Sequence, residues 1–215
     1  MLLVQKSRLN EQYLQGGNAL EAVDKNAVLT DYLRGGRDAA GAAKSVALVA
    51  FGIAALVVMS KIRVPMWPVP VTMQTFAVLV LGAAYGLRLG LLTVLGYLAL
   101  GAAGFAVFAG ESAGLAYMAG PTGGYLMGFV AAMALMGALA RRGWDRRPLS
   151  MAAALLAGNA AIYGFGLAWM AWLFAADKGM GWVLQYGMLN FLPGDALKLA
   201  LAAMVMPLAW RIARR

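Results

Sequence analysis

The chain of 215 residues has no cysteine and no histidine, and only 13% of its residues are charged. The missing cysteines exclude disulfides and thiol chemistry. The missing histidines remove an imidazole base and, with the cysteines, the usual zinc ligands. No metal and no other cofactor is expected. An ordinary soluble domain carries about 25% charged residues, so that class is excluded too. The first 20 residues lack an apolar core of sufficient length, and no cleavable signal peptide is expected. A nucleotide motif is also missing. Gly120-Pro121-Thr122-Gly123-Gly124-Tyr125 has glycines of the kind that cradle phosphate, but no Gly-Lys-Ser/Thr follows them.

What is present is apolar. Hydrophobic residues make up 62% of the chain and the mean hydropathy is +0.72. A spanning helix needs about 20 residues, so the length allows roughly six spans joined by short loops. The expected fold is an all-α polytopic membrane protein, with a six-helix domain over residues 39–215 behind a polar tail at 1–38. The first span is expected at about 44–62 and a short second span ends near Ala84. The third runs over 89–108, the fourth from about Tyr125 to Ala140, the fifth over 149–174 and the sixth over 193–210. A loop carrying Asp177 and Lys178 is expected before the sixth.

The net charge of +9 has no basic-aromatic surface behind it, so nucleic acid is not an expected partner; the charges sit between apolar runs. They read as topology signals, because cytoplasmic loops collect Lys and Arg. With the N-terminus inside, 14 of the 18 basic residues are cytoplasmic: those up to Lys44, Arg88, Arg141, Arg142, Arg146, Arg147 and the C-terminal arginines. Both termini are then cytoplasmic. Three unusual stretches converge on the outer face.

The first is Arg63–Gln74, where Pro65, Pro68 and Pro70 forbid a helix and favour an extended segment ending in Thr72 and Gln74. The second is the Gly-rich loop up to Tyr125, read as tight backbone packing at a helix entry or as a ligand contact. The third is Pro193-Gly194-Asp195-Ala196-Leu197-Lys198. Asp195 and Lys198 stand three apart, on one face of a helix, and are the charges expected inside the membrane. An ionisable group there costs roughly 2.5–3.5 kcal/mol on insertion scales, which points to a functional site. The alternative is a helix cap at Asp195, neutralised by Lys198. An acceptor-only carboxylate beside an ammonium suits a small ligand with N–H donors and an anionic or carbonyl end. Asn159 and Tyr163, four apart on the fifth span, share a face. The aromatics Trp67, Tyr117, Tyr125, Tyr163 and Trp169 suit an apolar remainder. On the first span Ala50 and Ala54 form a small-residue face, which serves packing inside the bundle or against another subunit.

Three stretches carry a family resemblance: Pro68–Thr75; Gly114-Leu115-Ala116 with Gly120–Leu126; and Phe191–Asp195 with Lys198. Together, in this order over about residues 44–212, they resemble the BioY family, substrate-capture components of energy-coupling-factor vitamin transporters. The resemblance implies a six-helix bundle in a bacterial cytoplasmic (inner) membrane that binds biotin from outside, as a transport subunit and not an enzyme. It implies ligand contacts from Asp195, Lys198, Gln74, Thr72, Tyr125, Asn159 and Tyr117, with the proline loop as part of a lid. It also implies that Ala50 and Ala54 face a membrane-embedded coupling subunit, with ATPase subunits as further partners; an oligomer stays open. Another small vitamin is the competing ligand. An intramembrane enzyme using Asp195 as acid or base would need a second buried carboxylate, and none is expected.

Overall fold

The structure, a computed structural model, describes residues 27–34 and 39–213. Helix dominates because apolar runs in lipid must pair every backbone N–H and C=O within the segment. A short helix α1 (Leu29–Arg34) precedes α2 (Ala39–Lys61), the strands β1 (Arg63–Val64) and β2 (Val71–Thr72), and α3 (Gln74–Ala102). Then come α4 (Gly114–Ala119), α5 (Gly123–Arg141), a 3-10 turn (Trp144–Arg146) and α6 (Pro148–Lys178). The chain closes with α7 (Met180–Leu184), a π-helical turn (Gln185–Leu189) and α8 (Leu192–Ala213). Among the described residues, five helical stretches are long and apolar enough to cross a membrane: α2, α3, α5, α6 and the run from Met180 to Ala213.

Helix α3 doubles back on itself. Gly86 has φ 69° and ψ −175° inside the helical run, a conformation that glycine adopts without a Cβ clash. Gln74 Nε2 then lies 2.6 Å from the Tyr97 hydroxyl, where a straight helix would hold these residues roughly 35 Å apart. The expected second and third spans are thus the two antiparallel arms of α3. The second arm stops at Ala102, earlier than expected.

Helix α5 packs between α3 and α6, with Met133, Met136, Leu79, Leu155 and Ile162 in a common buried core. A Cβ on Gly124 would strike the Trp169 Cβ and the Phe165 carbonyl of α6. The Gly-rich signature is therefore used for close backbone approach, and that contact holds Tyr125 in the first turn of α5. Helix α2 lies at the edge. Only 11% of its apolar window is buried, against 67% in α3 and α5. One side of α2 meets the arms of α3, where the Tyr85 hydroxyl donates to the Leu48 carbonyl at 2.8 Å. Its end is tied to the loop after α3. Lys61 Nζ donates to the carbonyls of Ala106 at 2.6 Å, Phe108 at 3.1 Å and Gly110, and the buried Ser60 hydroxyl lies 2.9 Å from the Val107 carbonyl.

Three local readings change. The proline segment is a hairpin, with Arg63 opposite Thr72 and Val64 opposite Val71, because the stretch still offers ladder donors on either side of its prolines. The loop expected around Asp177 and Lys178 is helix instead: both end α6, and residues 180–189 are helical too. Their Trp182 packs on Trp67, Phe174 and Tyr186, and that apolar contact folds the segment down. Residues 27–31 belong to the expected tail, yet Val28 is buried against the Gly86 turn. Arg146 Nη2 donates to the Ala27 carbonyl at 3.1 Å, and Asp31 lies 3.9 Å from Arg141. The rest of the tail, 1–26 and 35–38, lies outside the described residues.

Asp195 and Lys198 are not the only buried charges. Asp145 is 1% exposed and accepts from Trp210 Nε1 at 2.5 Å, with the Arg146 guanidinium 4.9 Å above the Trp210 ring. A second buried carboxylate therefore exists, hidden in the arginine cluster because the end of α8 folds over it. Trp210 is fifteen residues beyond Asp195 on the same helix, which separates the two by roughly 22 Å.

Candidate functional site

The Asp195–Lys198 pair sits in the first two turns of α8, and its partners come from three other elements. Lys198 Nζ lies 3.0 Å from Asp195 Oδ1. It also donates to the Thr72 carbonyl at 2.6 Å and reaches the Thr75 hydroxyl at 3.2 Å. Three donors thus meet three acceptors. Asp195 Oδ2 accepts from the Tyr163 hydroxyl at 2.5 Å and from Asn159 Nδ2 at 3.3 Å. Among the described residues its carboxylate accepts from side chains and not from a backbone N–H, so the capping alternative does not describe it. Both residues are less than 9% exposed. Two buried charges are tolerated because each is paired and hydrogen-bonded on several sides.

Beside the pair lies a cavity of about 490 Å³, mouth included. The hairpin and the start of α3 supply one wall, from Val69 to Thr75; Tyr117 and Thr122 supply another; Tyr125, Phe129, Ile162 and Tyr163 form the floor, with Phe191, Asp195 and Lys198 completing it. Of the expected contact residues, Asp195, Lys198, Gln74, Thr72, Tyr125 and Tyr117 reach the cavity. Asn159 does not; it is buried behind Asp195 as a donor to it.

The aromatics divide as well. Tyr125 turns its ring to the cavity but its hydroxyl away, donating to the Gly187 carbonyl in the π turn at 2.6 Å. Tyr117 stacks on Phe108 with ring centroids 5.0 Å apart, and burial pushes its phenol above the ordinary value. Trp67 and Trp169 lie outside the wall. Trp67 packs on Phe174 and Trp182, and Trp169 donates to the Gly120 carbonyl at 2.9 Å.

Thr75 was missed, and Val69–Val71 were expected only as part of a lid, since nothing in a proline-rich stretch marks which residues line the cavity. Tyr163 carried a signal, its spacing of four from Asn159. The result is a half-open, mainly apolar chamber with one charged, fully paired polar end. It is built to hold a small molecule.

Residues 28–215 match the BioY family. The chain belongs to the BioY family. A curated relative, the probable biotin transporter BioY of Pyrococcus horikoshii, is 39% identical over 163 residues, covering 76% of this chain and 94% of the relative. The biotin transporter BioY of Thermotoga maritima is 34% identical over 71% of this chain and 87% of its own length. That of Rhizobium etli is 33% identical, over 74% and 87%. A crystal structure of the S-component for biotin from an ECF-type ABC transporter superposes with a TM-score of 0.69 at 23% identity, over 82% of this chain and 95% of that one. The two share a fold. With its five apolar helical stretches, the chain is a multi-pass membrane protein.

Proposed function

We propose that the chain captures biotin at the outer face of a cytoplasmic (inner) membrane, as the substrate-specific subunit of an energy-coupling-factor transporter. The observation that carries this reading is a buried, multiply paired Asp195–Lys198 couple at the wall of a small-molecule cavity, in a family whose curated relatives are named for biotin transport.

In this reading the chain has six membrane segments, the arms of α3 counting as two, and both termini are cytoplasmic, as the distribution of Lys and Arg favours. Residues 39–215 form the membrane domain and the tail before it is cytoplasmic. Asp195, Lys198, Gln74, Thr72, Tyr117 and Tyr125 contact the ligand and Asn159 steadies Asp195. The hairpin closes over the ligand as part of a lid. A coupling subunit docks on α2 at Ala50 and Ala54, both of which face outward, and separate ATPase subunits supply the energy for which this sequence has no motif.

The test is titration calorimetry of the detergent-purified chain with biotin. Tight, ATP-independent binding is expected. Absence of heat and of a thermal shift at micromolar biotin would overturn the reading, and displacement of biotin by another vitamin at lower concentration would reassign the ligand.

A further inference from the structure

Gln74 begins α3 at the cavity wall, and its side-chain amide is held from one end. Nε2 donates to the Tyr97 hydroxyl at 2.6 Å, and Tyr97 Oη lies 3.1 Å from the Val107 carbonyl. The Ser60 hydroxyl also lies 2.9 Å from the Val107 carbonyl but is nearer the Val57 carbonyl, at 2.6 Å, and with its one proton there Tyr97 is left as the donor to Val107. A carbonyl cannot donate, so the single Tyr97 proton goes to Val107 and the Tyr97 oxygen must accept from Gln74. Flipping the amide would set Gln74 Oε1 against an oxygen whose proton is already committed. Tyr97 itself cannot turn away: it is fully buried, with its ring edge-on to Phe108 at 5.5 Å. Gln74 Oε1 therefore points away from Tyr97. Among the described residues it meets one donor, the Thr72 hydroxyl at 3.5 Å, which is the outer limit of a hydrogen bond. The Asp195 carboxylate at this cavity already takes three donors.

We propose that Tyr97 is a positioning residue that makes Gln74 present an acceptor to the cavity, and that this acceptor reads an N–H of the ligand. The inference rests on biotin as that ligand. Biotin carries its N–H groups only in the ureido ring; its thioether and carboxylate accept. The ureido end thus lies at the hairpin side, beside Gln74. Tyr97 never touches the ligand, and its effect is on which end of the amide the ligand meets.

The experiment is calorimetric titration of the full-length chain with biotin and with biotin methylated on the ureido nitrogens, in wild type, Tyr97→Phe, Gln74→Met and the double variant. Wild type is expected to bind biotin at least about tenfold more tightly than the methylated ligand, the scale of one well-made hydrogen bond. Tyr97→Phe should weaken biotin by about five- to thirtyfold and shrink the methylation penalty. In the Gln74→Met background the same substitution should cost nothing further. Equal binding of the two ligands by wild type overturns the proposal without needing any variant to fold. So does a Tyr97→Phe loss that persists undiminished in the Gln74→Met background, since Tyr97 would then act through Val107 alone. A methylation penalty unchanged in both single variants overturns it as well. If wild type binds no biotin, the ligand assignment itself fails, and this inference falls with it.

Discussion

Lys198 has three N–H groups and three acceptors within 3.2 Å of its nitrogen. That makes it a tie between α8 and the hairpin as much as a ligand contact. Lys198→Ala leaves Asp195 buried against Tyr163 and Asn159 with no cation. Asp195→Asn leaves the ammonium short of its partner. Each single substitution is expected to weaken biotin binding by about 2–5 kcal/mol and to lower the unfolding temperature in detergent. The pair Asp195→Asn with Lys198→Met should be more stable than Lys198→Ala alone, because no uncompensated charge remains. If the stability losses simply add instead, the two groups act separately. Tyr163→Phe removes a donor from Asp195 and should cost about 1–3 kcal/mol of affinity by the same calorimetry. Asp195 and Lys198 were legible in the sequence because a charge in an apolar run is conspicuous. Asp145 was not, since its burial depends on Trp210 arriving from sixty-five positions away. Tyr97 stayed hidden for a similar reason: its role depends on Gln74 and Val107, which meet only after α3 has reversed.

At the scale of elements, the reversal of α3 rests on Gly86. An alanine there would carry a Cβ at φ 69°, with Val28 side-chain carbons 3.2 Å away. Gly86→Ala is expected to destabilise the protein by about 1–3 kcal/mol, read as a fall in unfolding temperature with and without biotin. An unchanged midpoint would mean that the turn tolerates another backbone path. The sequence marked this turn only approximately, through Arg88, because polar residues flag a loop whereas one left-handed glycine suffices for a reversal. Spans in α5, α6 and α8 were recovered closely, since their apolar runs end at Pro, Gly or Arg. The hairpin and the 180–189 segment were not. Their form is set by the contact of Trp67 with Trp182, 5.5 Å between ring centroids, which no local pattern encodes.

For the whole molecule, the two buried carboxylates divide the labour. The Asp195 end lines a chamber, whereas the Asp145 end joins the stretch just before α1, the 3-10 turn and α8. Trp210→Phe removes the donor to Asp145 Oδ2 and should lower stability by about 1–3 kcal/mol while leaving biotin affinity within twofold. A large change in affinity would show the two ends to be coupled. The outward face of α2 predicts a different phenotype. Ala50→Trp or Ala54→Trp should leave biotin binding intact in detergent but abolish co-purification with ATPase subunits. Retained co-purification would move the docking surface elsewhere.

Lys61 gives α2 a second consequence. The same rigid rod that shows its small-residue face to the outside grips, at its far end, three carbonyls of the loop that leads into the chamber wall. A partner that tilted α2 would drag that loop with it, with α2 as the lever and Lys61 as its hook. Lys61→Met should then leave capture of biotin nearly unchanged while slowing its release inside proteoliposomes that hold the complete transporter. Normal uptake by that variant would mean the hook transmits nothing.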